Sequence, residues 1–172
     1  MALPHLSDKE RLTIEKKFYS HMCDMFLEMI KTISISQKEI EKRFTFSNMD
    51  VYYDLEKKNK SIALMCAHYA SYEWVVSMNY HINCKGFGIY KKLANPYFDK
   101  LVKRIRSKFK AELITTKETI PTISDNYNKN VLSLYGFASD QSPNPSSAYH
   151  WAPLLGPIVP VHPGAAVLAK RF

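Results

Sequence analysis

The spacing of hydrophobic positions changes along the chain, from a helical period in the first third to short apolar runs afterwards. From Ser7 to about Thr32, apolar side chains recur every three or four residues, and Ser7 with Glu10 forms a Ser-x-x-Glu capping pattern. This pattern predicts a long amphipathic helix whose apolar stripe packs on the core. The alternative is that the methionine-rich stripe lies on lipid or on a partner. The stripe consists of Phe18, Met22, Met25, Phe26, Met29 and Ile33.

Beyond residue 60, apolar runs typical of strands alternate with helical patterns. Shorter elements precede them: helices at 36–44 and 48–55 and a brief strand at 44–46. The alternation predicts an α/β fold, with a central, mostly parallel sheet flanked by helices and an N-terminal helical region. We therefore expect one domain over 1–172, with a helical part at 7–57 and an α/β part at 61–172. The expected strands are 61–67, 86–91, 112–115 and 131–138, the helices 70–81, 95–109, 117–128 and 164–172, and the edge strands 151–155 and 158–161.

Composition narrows the class of protein and of partner. The 172 residues are 46% hydrophobic and 23% charged, which is typical of a globular domain, and the net charge of +8 favours an anionic partner. The three cysteines form no Cys-x-x-Cys pair and are expected to be reduced thiols. The scattered histidines predict no zinc site. No apolar stretch is long enough to span a bilayer, and no signal peptide is recognisable.

The strongest candidate for chemistry follows the first apolar strand. His68 comes directly after the run 62–67, and Glu73 lies five residues further on, beside Trp74. A histidine at the end of a buried strand, followed by a carboxylate, is typical of a general base and the acid that orients it. The alternative is a histidine near the core with no catalytic role. Cys66 is a rival nucleophile, although a thiol inside an apolar run is usually inert.

Two further groups could contribute to a site at the same edge of the sheet. Asp140 ends the most apolar strand, where ligands of α/β sheets collect, unless it only opens the following turn. Arg104 and Arg106 flank the apolar stripe of a basic helix that begins at Asn95 and Pro96, and an arginine there could reach a phosphate. The aromatic residues of this helix belong to its core stripe, so we do not expect nucleic acid as the partner.

The motifs together resemble a known family. His68-x4-Glu73 is followed by Tyr90-Lys91, Asn95-Pro96, Asp99 and Arg104-x-Arg106. Ser139 to Pro143 reads SDQSP, and the last block contains Val159 to Val161, Gly164 and Leu168 to Lys170. This order is similar to that of the lipid A biosynthesis acyltransferases, in the lysophospholipid acyltransferase superfamily, and the DQSP block resembles the Bacteroidetes branch. The resemblance covers essentially the whole chain.

The resemblance implies membrane-associated transfer of a fatty acyl chain to a lipid hydroxyl. The donor would be an acyl-carrier-protein thioester, or acyl-CoA, and the acceptor a lipid A precursor, with no metal or other cofactor. His68 would be the base and Glu73 its partner, Arg106 or Arg104 would bind phosphate, and Asn95 and Asp140 would complete the substrate site. Relatives carry further segments at both ends, so a truncated chain at the cytoplasmic face of the bacterial inner membrane is expected.

Other functions remain open from the sequence alone. The same chemistry would serve a lysophospholipid or aminolipid acceptor. A basic peripheral-membrane module without catalysis would also explain the charge and the methionine-rich stripe. A nucleic-acid-binding protein would explain the charge alone, and its affinity should fall steeply with salt.

Overall fold

The computed structural model describes residues 3–172. Helices and strands alternate after a helical N-terminal part. The α-helices are α1 (Asp8–Thr32), α2 (Gln37–Arg43), α3 (Met49–Glu56), α4 (Pro96–Arg106), α5 (Thr119–Asn128) and α6 (Gly164–Arg171). The strands are β1 (Ile62–Cys66), β2 (Lys85–Tyr90), β3 (Glu112–Thr115), β4 (Ser133–Ala138), β5 (Trp151–Pro153) and β6 (Ile158–Pro160). Turns of 3-10 helix occupy Tyr72–Tyr80, Ser107–Phe109 and Pro145–Ser147.

A four-stranded parallel sheet organises the α/β part. Its strand order is β1-β4-β2-β3, so β4 and β2 are the inner strands, and every pairing is parallel. All four carboxyl ends therefore lie at one edge, as parallel crossover connections require. This confirms the α/β prediction. Strands β5 and β6 form a separate antiparallel hairpin.

Capping side chains mark the starts of α1, α2 and α4, three of the six α-helices within residues 3–172. Ser7 and Glu10 form the predicted capping box at α1, and the Asn95 side chain accepts hydrogen bonds from the backbone N–H groups of Tyr97 and Phe98 at α4. Two expectations are wrong. The helix predicted over 70–81 is a 3-10 helix, and residues 44–46 form no strand, because Phe44 ends α2 and packs edge-on against Phe46 instead.

Apolar side chains pack on both faces of the sheet. On one face, Phe87, Ile114, Tyr135 and Phe137 pack with Ile123 of α5 and Ala165 of α6. On the other face, Leu134 packs with Met78 of the long 3-10 helix and Tyr52 of α3. A third cluster joins Ile35, Ile40, Trp74 and Phe109, and it connects the helical part to the sheet.

Helix α1 departs from the expectation that its stripe packs on the core. Phe18 and Phe26 are 55% and 52% exposed, and Ile33 is also exposed, while the three methionines of the stripe are half-buried. The core side of α1 is instead a more polar flank. The buried Thr32 hydroxyl accepts a hydrogen bond from the Trp74 indole (2.8 Å), and Glu28 accepts one from Ser71 (2.9 Å). The core interpretation of the stripe is therefore wrong.

None of the helices within residues 3–172 combines the length and the hydrophobicity that crossing a bilayer requires.

Candidate active site

The site begins where two neighbouring strands end. Cys66 of β1 is in register with Ala138 of β4, and His68 and Asp140 each follow two residues later. The two side chains therefore meet beyond the sheet edge. The Asp140 carboxylate lies 2.7 Å from His68 Nδ1 through Oδ1 and accepts the His68 backbone N–H through Oδ2 at 2.9 Å. One carboxylate thus fixes both the ring and the main chain of His68.

This contact defines the protonation pattern of the imidazole. A carboxylate can only accept, so Nδ1 carries the hydrogen and Nε2 is left as the basic nitrogen. Burial disfavours the charge of Asp140, but the hydrogen bonds from the His68 ring and backbone outweigh it and lower the pKa of Asp140. The Tyr72 ring packs edge-on against the imidazole at 4.8 Å between centroids and restricts its rotation.

Glu73 has a different partner from the one its spacing suggested. Its carboxylate accepts hydrogen bonds from Arg106 Nε (2.9 Å) and Nη2 (2.5 Å), in a bidentate pair. The Glu73 side chain is 8% exposed and that of Arg106 is 25% exposed. Burial alone would lower the pKa of Arg106, but the bonds and charge of Glu73 raise it. The expectation that Glu73 orients His68 is therefore wrong, because Asp140 holds the ring and Glu73 holds Arg106.

A cavity of about 790 Å³ connects these groups. Its wall includes His68, Tyr72, Glu73 and Arg106, and it continues between the sheet and the long 3-10 helix. The volume and the largely apolar wall are typical of a small-molecule site. Cys66 also lines this cavity, but burial raises the pKa of its thiol, which removes the reactive thiolate.

The two other predicted residues of the site lie on α4. Asn95 caps the helix through its side-chain oxygen and so fixes where Arg106, three turns later, emerges. Arg104 is exposed on the surface of α4, and the part of the chain that the structure describes places it outside the cavity wall. Of the predicted residues, His68, Glu73 and Arg106 line the cavity, and Asp140 is hydrogen-bonded to His68.

An oriented histidine at the carboxyl edge of a parallel sheet, with a salt-bridged arginine on the wall of one cavity, is suited to base-assisted chemistry on a bound substrate. The family comparison specifies the class. The model for bacterial lipid A biosynthesis acyltransferases matches residues 1–172, and the chain belongs to this family. It is therefore an acyltransferase, and the family implies a lipid A precursor as its substrate. A search of curated proteins finds no match.

Proposed function

We propose that this acyltransferase moves a fatty acyl chain from an acyl-carrier-protein thioester to a hydroxyl group of a lipid A precursor, with His68 as the general base. The observation that carries the proposal is the pairing of His68 Nδ1 with Asp140 at the mouth of the cavity. A hydroxyl has a pKa far above neutrality, so its attack on a thioester needs a base within hydrogen-bond reach.

The proton follows a simple path in this mechanism. As the acceptor oxygen bonds to the thioester carbon, Nε2 of His68 takes the hydroxyl proton, and Asp140 stabilises the imidazolium that forms. The tetrahedral intermediate then expels the thiolate by breaking the carbon–sulfur bond. The thiolate receives the proton back from His68. Base catalysis of this kind contributes on the order of 10²- to 10⁴-fold in rate.

Arg106 would hold the anionic part of the acceptor. Its pair with Glu73 uses Nε and Nη2, and Nη1 would donate to a phosphate oxygen. Glu73 then has a positioning role, because it fixes the plane of the guanidinium inside the cavity. Arg104, exposed on the same helix, would attract the phosphate electrostatically from the rim.

The exposed side of α1 supports contact with the bilayer that contains the acceptor. Phe18, Phe26, Leu27 and Ile30 are all more than half exposed, an unusual density of large apolar side chains on a water-facing helix. The net charge of +8 complements anionic lipid headgroups and would also attract an acidic carrier protein. We infer that these exposed apolar side chains contact the bilayer at the cytoplasmic face of the inner membrane.

Product analysis tests the proposed reaction. The purified protein would be incubated with an acyl-carrier-protein thioester and a lipid A precursor, and the product analysed by mass spectrometry. We expect one acyl group to be added in an ester bond. If only lysophospholipid or aminolipid is acylated, that lipid and not a lipid A precursor is the acceptor. Binding to vesicles without any acyl product would favour a non-catalytic membrane module.

A further inference from the structure

Two glycines lie side by side in the middle of the sheet. Gly136 of β4 is in register with Gly88 of β2, and the row continues outward to Leu64 on one side and Leu113 on the other. Residues in register on parallel strands point to the same face. This row therefore faces the long 3-10 helix, on the side where Leu64 and Met78 belong to the same apolar cluster.

Gly136, unlike Gly88, borders a hollow rather than a tight contact. Gly88 and Gly136 remain partly exposed although they lie on the two inner strands, and both line the cavity that His68 and Arg106 border. A Cβ atom added at Gly136 would have Phe87 O at 3.5 Å and Cys66 Sγ at 4.0 Å, both ordinary contacts. Space for a side chain is thus available at Gly136 and is not filled.

A Cβ atom at Gly88 would lie 2.9 Å from Leu113 Cδ2, so close packing accounts for that glycine, whereas neither backbone geometry nor packing accounts for Gly136. Both have φ angles outside the left-handed region, and glycine in a strand costs stability relative to residues with a side chain. Gly86 provides the contrast, since a Cβ there would lie 1.6 Å from Asn79 Oδ1. The missing side chain at Gly86 makes room for Asn79. The missing side chain at Gly136 makes room for something that the chain itself does not supply.

We propose that the hollow over Gly136 holds the distal part of the acyl chain during transfer, and that this glycine sets the longest chain accepted. The inference rests on the acyl transfer proposed above. Gly136 precedes Asp140 by four residues, two of them beyond the end of β4, so strand spacing places it at most about 13 Å below the His68–Asp140 pair. An acyl chain with its thioester at His68 would reach this depth through walls formed by Leu64, Val75 and Met78. Leu134 lies two residues before Gly136 and so on the same face of the sheet. It is buried and closes the end of the hollow.

Binding of free fatty acids tests the inference without requiring turnover. A fluorescent fatty acid would be displaced by decanoate or by palmitate from the wild type and from Gly136→Val. We expect the variant to lose about tenfold or more in affinity for palmitate, as expected when about two methylenes lose their burial. Its affinity for decanoate should stay within about twofold. Equal affinities of both proteins for both acids would overturn the inference.

Two controls separate this result from misfolding and from failure of the proposed reaction. Valine favours strands, so Gly136→Val should unfold at the same temperature as the wild type or a higher one. Ala63→Val adds two methyl groups at an exposed position on β1 and should leave palmitate binding unchanged. A loss of palmitate binding that also appears in Ala63→Val would count against the hollow. If the wild type binds fatty acids with this length dependence but transfers no acyl group, the proposed reaction is wrong and the inference about the hollow still holds.

Discussion

At the scale of single residues, two carboxylates of the site hold two different side chains. Asp140 accepts two hydrogen bonds from His68, and Glu73 accepts two from Arg106. The first pair is partly exposed and carries the proton in the proposed mechanism. The second is mostly buried, so breaking it leaves a charge in an apolar environment without its partner. Substitutions of the two acids should therefore have different consequences.

Replacing Asp140 should reduce catalysis much more than stability. Asp140→Asn presents an amide to Nδ1, which no longer fixes the correct tautomer, so we expect the acyl-transfer rate to fall by about 10²- to 10⁴-fold. The unfolding temperature should change little because the side chain is partly exposed. Asp125→Asn, which removes an exposed pair with Lys129, is the matched control and should keep the wild-type rate. Wild-type turnover in Asp140→Asn would remove Asp140 from the proton path.

The acid dependence of stability gives a second test of the same residue. The folded pKa of Asp140 lies below its ordinary value of 3.8 because His68 donates to it. Its contribution to the free energy of unfolding is therefore fully present above the unfolded pKa and is lost as the pH falls through the folded value. Acid unfolding curves of Asp140→Asn should lack this component. Curves with identical slopes for both proteins below about pH 4 would contradict the pairing.

Replacing Glu73 should destabilise the fold. Glu73→Gln leaves Arg106 partly buried with no compensating charge, and we expect a loss of about 3 kcal/mol in the free energy of unfolding. The double variant Glu73→Gln with Arg106→Gln should recover part of that loss. Urea denaturation of the single and double variants measures the coupling. Additive effects would mean that the two side chains do not interact in solution.

The sequence predicted which residues lie near the site better than it predicted their partners. His68 and Asp140 both follow apolar runs that were predicted to be strands. Because the carboxyl ends of parallel strands lie at one edge of a sheet, both residues were expected there. The spacing of Glu73 from His68 says nothing about Arg106, which is distant in sequence. Residues Tyr72–Tyr80 form a 3-10 helix, whose turn of three residues directs side chains differently from an α-helix, and Glu73 points to α4 instead.

At the scale of elements, α1 shows what a helical period leaves open. The pattern specifies that one face is apolar, but it does not specify whether protein or lipid covers that face. Helix α1 attaches to the rest of the molecule through its polar flank, with Thr32 bonded to Trp74, and leaves large apolar side chains exposed. The sequence therefore predicted the helix and its cap correctly, but not its orientation.

A surface substitution on α1 distinguishes lipid contact from core packing. Phe26→Ser removes an apolar side chain that is 52% exposed, so the free energy of unfolding should change by less than about 1 kcal/mol. Sedimentation with vesicles of anionic phospholipid should show weaker binding, because apolar area on the bilayer side is lost. Tyr97→Ser, at an 85% exposed position on α4, is the control and should bind as the wild type does. Unchanged vesicle binding in Phe26→Ser would contradict the assignment.

At the scale of the whole molecule, the topology turns separate stretches of sequence into one site. The strand order β1-β4-β2-β3 puts β4 beside β1, so Asp140 meets His68 across 72 positions of sequence. Alternating strands and helices predicted the parallel sheet, since parallel neighbours need crossover connections. The order of strands could not be predicted, because periodicity carries no information on which strand is next to which. That order of strands brings together the residues that line the cavity.

The rate of acyl transfer by His68→Ala tests the central claim most directly. The imidazole is at the cavity mouth and not in the core, so the variant should fold as the wild type does, which its unfolding temperature would verify. With acyl-carrier-protein thioester and lipid A precursor as substrates, we expect the initial rate to fall on the order of 10²- to 10⁴-fold. A folded His68→Ala protein that transfers acyl groups within a few-fold of the wild-type rate would contradict the account.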